Sequence, residues 1–212
     1  MIPMYQGAVF FDADGTLIDG PSGIIAPTEK TKEAIVRLRE RNILTVLATG
    51  RSKCYVLPSL LLFDCYITAN GARSEANGTV IHNQVLAPEA LRTLVAYLDA
   101  AGINSVLEEP DYCYCRDLSE EYFQGMMQKY AFPINKLMVT YDRMDKRDRF
   151  MRDFGDRYDI TDQPGNQACD VGQRGVSKGL GVQKVLEHFQ IPKENAYAFG
   201  DADNDYEMFR AV

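Results

Sequence analysis

Residues 10–20 read FFDADGTLIDG, so Asp12 and Asp14 stand two positions apart where an apolar run ends. Two carboxylates at one strand end can hold a metal or share acid–base work. In isolation D-x-D-G also reads as a plain turn, because Asp-Gly is a turn signal. Three further stretches carry the same double reading. Ala48-Thr49-Gly50-Arg51-Ser52 closes an apolar run and is expected to open a helix. Free N–H groups at that helix start, with the Thr49 hydroxyl, can bind an oxyanion, although Thr-Gly is also common in loops. In Gly175-Val176-Ser177-Lys178-Gly179, Ser177 is the expected N-cap. Lys178 then lies in the first helical turn, where a cation opposes the macrodipole by roughly 0.3–1 kcal/mol unless an anion is close by. The spacing is not that of a P-loop. The fourth stretch is Phe199-Gly200-Asp201-Ala202-Asp203-Asn204-Asp205. A calcium-loop reading fails there, because the sixth position is Tyr206 instead of Gly and the twelfth is Val212 instead of Glu. An N-cap at Asp203 or Asn204 is the bland alternative for one of these residues, not for the whole cluster.

These residues need elements to hold them. Residues 6–11 read as a buried strand, 28–42 as a helix capped by Thr28, and 43–48 as a second strand. A further helix over 52–62, interrupted near Pro58, and a strand over 65–69 complete an alternation that predicts a parallel sheet with helical crossovers. The rhythm then changes. Asn77-Gly78 marks a hairpin, and Leu91, Leu94, Val95 and Leu98 form the apolar face of a helix after Pro88. Strands are expected at 104–108, 112–115, 137–141, 158–161 and 168–171, with helices at 119–130 and 145–154 and a turn at 163–166. After Gly172 the first rhythm returns, with Val182, Val185, Leu186 and Phe189 at helical spacing and a strand at 196–199. The expected fold is therefore α/β: a Rossmann-like parallel-sheet core, residues 1–82 and 172–212, interrupted by an inserted α+β cap domain, residues 83–171. In such a sheet ligands bind beyond the carboxyl ends of the strands, which is where all four stretches fall or lie close by.

Composition removes several classes of function. Over 212 residues the net charge is −7 and no block of Lys or Arg occurs, which disfavours a nucleic-acid binder. No apolar run approaches the ~20 residues of a membrane span, and no signal-peptide pattern opens the chain, so a cytoplasmic protein is expected. The five cysteines lack a Cys-x-x-Cys pair and are expected to be reduced thiols. Cys113 and Cys115 alternate onto one strand face, which a plain strand explains.

Carboxylates from at least two strand ends can hold Mg²⁺, and Thr49 and Lys178 can neutralise phosphoryl oxygens. That assembly resembles the haloacid dehalogenase superfamily of aspartate-nucleophile phosphohydrolases. The resemblance rests on D-x-D-G-T-L at 12–17, T-G-R at 49–51, Lys178, and G-D-x-x-N-D at 200–205, in the family's order. The block between the second and third motifs, and T-A-N-G-A at 68–72, resemble the Cof-like subgroup with its large α/β cap. The resemblance implies a Mg²⁺-dependent phosphatase acting on a small phosphorylated metabolite such as a sugar phosphate. It implies Asp12 as nucleophile, Asp14 as acid and base, and a metal held by Asp12, the Asp14 backbone carbonyl and Asp201, with Asp205 in contact or one step behind. Thr49, Gly50, Lys178 and Asn204 would hold the phosphoryl group, and Arg51 and Asn70 would orient substrate. The inserted domain would close over the site and select the substrate. Dehalogenases of the superfamily lack the second acid, so Asp14 favours phosphatase chemistry. A non-catalytic ligand-binding protein of the same fold and a phosphomutase are the alternatives. Members of the subgroup continue through a further strand, helix and strand, whereas this sequence stops at Val212, which is expected to leave 196–199 at a sheet edge. Asp19 has no partner motif and is expected in a loop.

Overall fold

The computed structural model describes residues 4–115, 133–163 and 165–212, which divide into two units, Met1–Asn83 with Val176–Val212, and Gln84–Gly175. In the first unit four strands run parallel: β1 (Gly7–Phe11), β2 (Ile43–Ala48), β3 (Cys65–Thr68) and β11 (Ala196–Phe199). The sheet order is β11-β1-β2-β3-β4-β5, where β4 (Arg73–Ala76) and β5 (Thr79–Asn83) extend it as antiparallel strands. The two are joined through Asn77 and Gly78, both at positive φ (49° and 76°), as a tight hairpin turn requires. β11 is an edge strand, as expected.

β1 and β2 are apolar, except at Thr45, whose hydroxyl donates to Asp64 at 2.6 Å, because both faces of the sheet are covered. On one face Phe10, Leu44, Val46 and Ile67 pack with Val182, Val185, Leu186 and Phe189, the apolar stripe of a helix over Lys178–Phe189. On the other, Leu47 meets Ile35, Leu60 and Phe63. Ile35 is the buried residue of α1 (Glu29–Glu40), whose first turn is capped by Thr28 accepting from the Thr31 N–H at 3.2 Å.

The helix expected over 52–62 does not form. Two single 3₁₀ turns, Lys53–Tyr55 and Pro58–Leu60, replace it. Pro58 offers no N–H and forces the residue before it out of the helical region; Leu57 is extended at φ −66°, ψ 144°. The connection from β2 to β3 is therefore an irregular strap.

The second unit is an antiparallel sheet in the order β7-β6-β8-β10-β9. Its strands are β6 (Asn104–Glu108), β7 (Cys113–Cys115), β8 (Lys136–Thr140), β9 (Tyr158–Asp162) and β10 (Ala168–Gln173). Leu107, Leu137, Val139 and Val171 share one core with residues of α2 (Pro88–Ala100) and α3 (Met144–Phe154): Leu91, Leu94, Leu98, Phe150 and Phe154. The alternate positions of the same strands carry charge: Lys136 is buried, 3.4 Å from Glu108 and 2.8 Å from Asp170. The helix expected over 119–130 lies outside the described residues, as does Pro164 of the expected turn. Among the described residues no helix is long and apolar enough to cross a membrane. Cys65, Cys113 and Cys169 are free thiols.

Candidate functional site

Asp12 is the first residue beyond β1, tied to the neighbouring strand end by its N–H to Phe199 O at 2.9 Å. Its side chain is buried, with 4% of the residue's surface exposed. The chain then turns at Gly15, at φ +91°. A Cβ at Gly15 would lie 2.1 Å from the Asp201 carboxylate, so glycine is needed both for the turn and for the approach of the two loops. Asp19 accepts from the Ser22 hydroxyl and belongs to the following loop, as expected.

The third cluster closes on the same point. Ser177 caps α4 (Lys178–Phe189), accepting from the Leu180 N–H at 3.2 Å. Lys178 follows at the first helical position, only 1% exposed, and its Nζ donates to Asp12 Oδ1 and Asp205 Oδ1, both at 2.6 Å. The conflict between a lysine and a helix start is thus resolved by two anions. A buried ammonium needs such partners.

Asp205 is fully buried, and its other oxygen accepts from the N–H groups of Asp201 and Ala202, both at 3.1 Å. The bland alternative of an N-cap at Asp203 or Asn204 is not what forms: Asp205 ties this turn together. Asp203 faces solvent, while the Asn204 amide donates to Asn70 Oδ1 at 3.1 Å. Asp205 wins because only its position lets one oxygen reach the N–H groups upstream while the other reaches Lys178.

Carboxylate oxygens of Asp12, Asp201 and Asp205 all lie within 4.8 Å of one another. Three carboxylates against one ammonium leave two negative charges in excess. All donors are hard oxygens, with no His or Cys among them, a set that suits Mg²⁺. Burial pushes the Asp12 carboxyl up to about 6; Lys178 pulls it back and Asp205 adds to the rise. The same surroundings favour any added cation. Asp201 also accepts from the Thr16 hydroxyl at 3.2 Å. Thr16 had no role in the sequence reading, although its place in D-x-D-G-T was the available signal.

The Asp14 carboxylate stands apart from these three. Arg51 grips it through two bonds, Nε to Oδ2 at 2.8 Å and Nη2 to Oδ1 at 2.7 Å. The sequence expectation for Arg51 was substrate orientation; its partner here is Asp14.

No helix opens after Thr49, which corrects the expected oxyanion site at a helix start. The Thr49 N–H goes to Ile67 O at 2.9 Å, and Thr49 Oγ1 accepts from the Arg51 N–H at 3.1 Å. The Gly50 N–H makes no hydrogen bond among the described residues. Beyond β3, Ala69, Asn70 and Gly71 all take positive φ, at 51°, 53° and 95°. That left-handed turn sets the Asn70 amide against Gly50, where a Cβ would lie 3.0 Å from Asn70 Oδ1, and joins it to Asn204. Apart from Lys178, which opens α4, the expected site residues of this unit thus fall just beyond the ends of the neighbouring strands β11, β1, β2 and β3.

The sequence profile of the haloacid dehalogenase-like hydrolases matches residues 9–212. An HMP-PP phosphatase of Enterobacter sp. strain 638 is 27% identical over 223 residues, covering 95% of this chain and 80% of that protein. Among solved structures, a hypothetical protein of Geobacillus kaustophilus HTA426 superposes with a TM-score of 0.78 at 25% identity, over 96% of this chain and 83% of that one. A sugar phosphatase of haloacid dehalogenase subclass IIB superposes with a TM-score of 0.76 at 22% identity, over 97% of this chain and 85% of the other. The last likeness is one of fold: a mainly parallel core sheet with an inserted antiparallel cap.

Proposed function

The chain belongs to the haloacid dehalogenase-like hydrolases, and from that premise we propose that it is a phosphatase that cleaves a small phosphorylated metabolite, such as a sugar phosphate, through an aspartyl-phosphate on Asp12. The observation that carries this reading is the buried group Asp12–Lys178–Asp205 with Asp201 in reach. The phosphatase names of the relatives support the same substrate class.

Uncatalysed hydrolysis of a phosphate monoester is slow enough that enzymes gain up to ~10²¹-fold, roughly 29 kcal/mol. Several groups must share that. Asp12 Oδ attacks phosphorus as the bond to the ester oxygen breaks, and Asp14 gives its proton to the departing alcohol. Asp14 then takes a proton from water, whose oxygen attacks phosphorus, releasing phosphate and restoring the Asp12 carboxylate. Lys178, the Gly50 N–H, Thr49 and Asn204 face the phosphoryl oxygens and offset their charge. Asp12, Asp201, Asp205 and the Asp14 carbonyl would hold Mg²⁺, which when bound screens the two anions that must meet, Asp12 and the phosphate.

The test is turnover of p-nitrophenyl phosphate with release of free phosphate. The expected result is activity at millimolar Mg²⁺ that vanishes in EDTA and in Asp12→Asn. No turnover of any phosphomonoester by the wild type would overturn the reading. With a sugar phosphate as substrate, phosphate kept on the sugar without release of free phosphate would indicate a mutase instead.

A further inference from the structure

Arg51 and Asp14 come from different strand ends, 37 positions apart, and the guanidinium meets the carboxylate through two parallel bonds. The rest of Arg51 is fixed as well. Its Nη1 donates to Tyr55 O at 3.1 Å, its N–H to Thr49 Oγ1, and its carbonyl accepts from the Ala69 N–H at 2.8 Å. Asp14, by contrast, lies on a turn with 51% of its side chain exposed and has no other side-chain partner among the described residues. Left alone, such a carboxylate would rotate freely about two bonds. A half-exposed ion pair contributes little to stability, so stability is a weak account of a clamp anchored at three points. The irregular strap after Arg51 supplies part of it: an α-helix would have used the Tyr55 carbonyl within its own ladder.

We propose that Arg51 is a positioning residue for Asp14, fixing the plane of the carboxyl group that hands its proton to the leaving oxygen, and is not a ligand of the substrate phosphate. This rests on the acid–base reading of Asp14 given above. The guanidinium holds one lone pair of each Asp14 oxygen, and the proton for the departing alcohol sits on the second lone pair of one of them. A lysine could not do this, since a point charge has no fork to set a plane.

The test compares p-nitrophenyl phosphate, whose phenolate leaves without a proton, with phenyl phosphate, whose leaving group needs one more. kcat/KM reports every step up to that departure. Arg51→Ala is expected to lower kcat/KM for phenyl phosphate about 10–100-fold, and for p-nitrophenyl phosphate by less than about threefold. Asp14→Asn should show the same split, and the double variant should be no worse than Asp14→Asn alone. Arg51→Lys should recover little, and inhibition by inorganic phosphate should be unchanged. Equal losses on both substrates with weakened phosphate inhibition would make Arg51 a phosphate ligand and overturn the proposal. Unchanged kinetics would leave only a surface ion pair and overturn it too. A flat response from Asp14→Asn would break the acid–base reading itself, whereas a steep Asp14→Asn beside a flat Arg51→Ala breaks this inference alone.

Discussion

Two lysines are buried between pairs of carboxylates among the described residues, Lys178 in the parallel-sheet unit and Lys136 in the antiparallel one. Lys136 sits within a strand, directly opposite Glu108 in the ladder and beside Asp170 of β10, so the pleat alone brings the three together. Lys178 instead gathers its partners from loops beyond two different strands, next to an exposed third carboxylate, Asp201. The nearby backbone is also costly there: Ala69 and Asn70 are held in the left-handed region. A buried ion pair is therefore no sign of chemistry by itself. Position at strand ends, a carboxylate left over and strained backbone separate the two.

The largest expected contrast is in turnover. Asp12→Asn should lower kcat by about 10⁴-fold or more, and Lys178→Met by about 10²–10⁴-fold. Lys136→Met should keep the specific activity of its folded fraction within about threefold. Steady-state assays of the three variants check this, and comparable losses in the two lysine variants would erase the distinction.

Stability should contrast in another way. Lys136→Met leaves the buried Glu108 and the partly buried Asp170 without their cation, and should cost about 3–5 kcal/mol in urea unfolding, with or without Mg²⁺. Lys178→Met should also destabilise the metal-free protein, but Mg²⁺ should restore much of the loss because a divalent ion can take over the charge.

The pH dependence follows from Asp12. Its folded value is raised to about 6 from 3.8, so without metal the folded protein binds more protons than the unfolded chain between those values. Stability from this group is present below pH ~4 and lost as pH rises through about 6. Asp12→Asn should therefore stabilise the metal-free protein by about 3 kcal/mol at pH 8, with the gain fading towards pH 4. Chemical unfolding of both proteins in EDTA across that range reads it. The smallest effect should come from Ala69→Gly, which relieves a left-handed alanine and should raise stability by about 0.5–1 kcal/mol without abolishing turnover.

Much of this was legible in the residues. The apolar run at 43–48 specifies a strand buried on both faces, and the stripe from Val182 to Phe189 specifies the helix that covers one of them; the run at 196–199 also forms a strand, but at the sheet edge, where Tyr197 and Phe199 stay exposed instead of buried. Lys178 was legible through a contradiction, a cation where the macrodipole disfavours one, which two aspartates resolve. The strap over 52–62 was misread because its apolar content fits a helix, while Pro58 and the binding of Arg51 to the Tyr55 carbonyl oppose one. The grip of Arg51 on Asp14 and the link between Asn70 and Asn204 join residues 37 and 134 positions apart. No local spacing encodes such pairs; they exist once the sheet has brought the strand ends together.

The central claim is that Asp12 becomes phosphorylated. Rapid acid quench during turnover, in an Asp14→Asn background that slows the hydrolytic step, followed by borohydride reduction and peptide mass spectrometry, tests it most directly. The expected result is homoserine at position 12, absent when Asp12→Asn is added. Turnover that proceeds with Asp12 unmodified, or with the label on another carboxylate, would contradict the account.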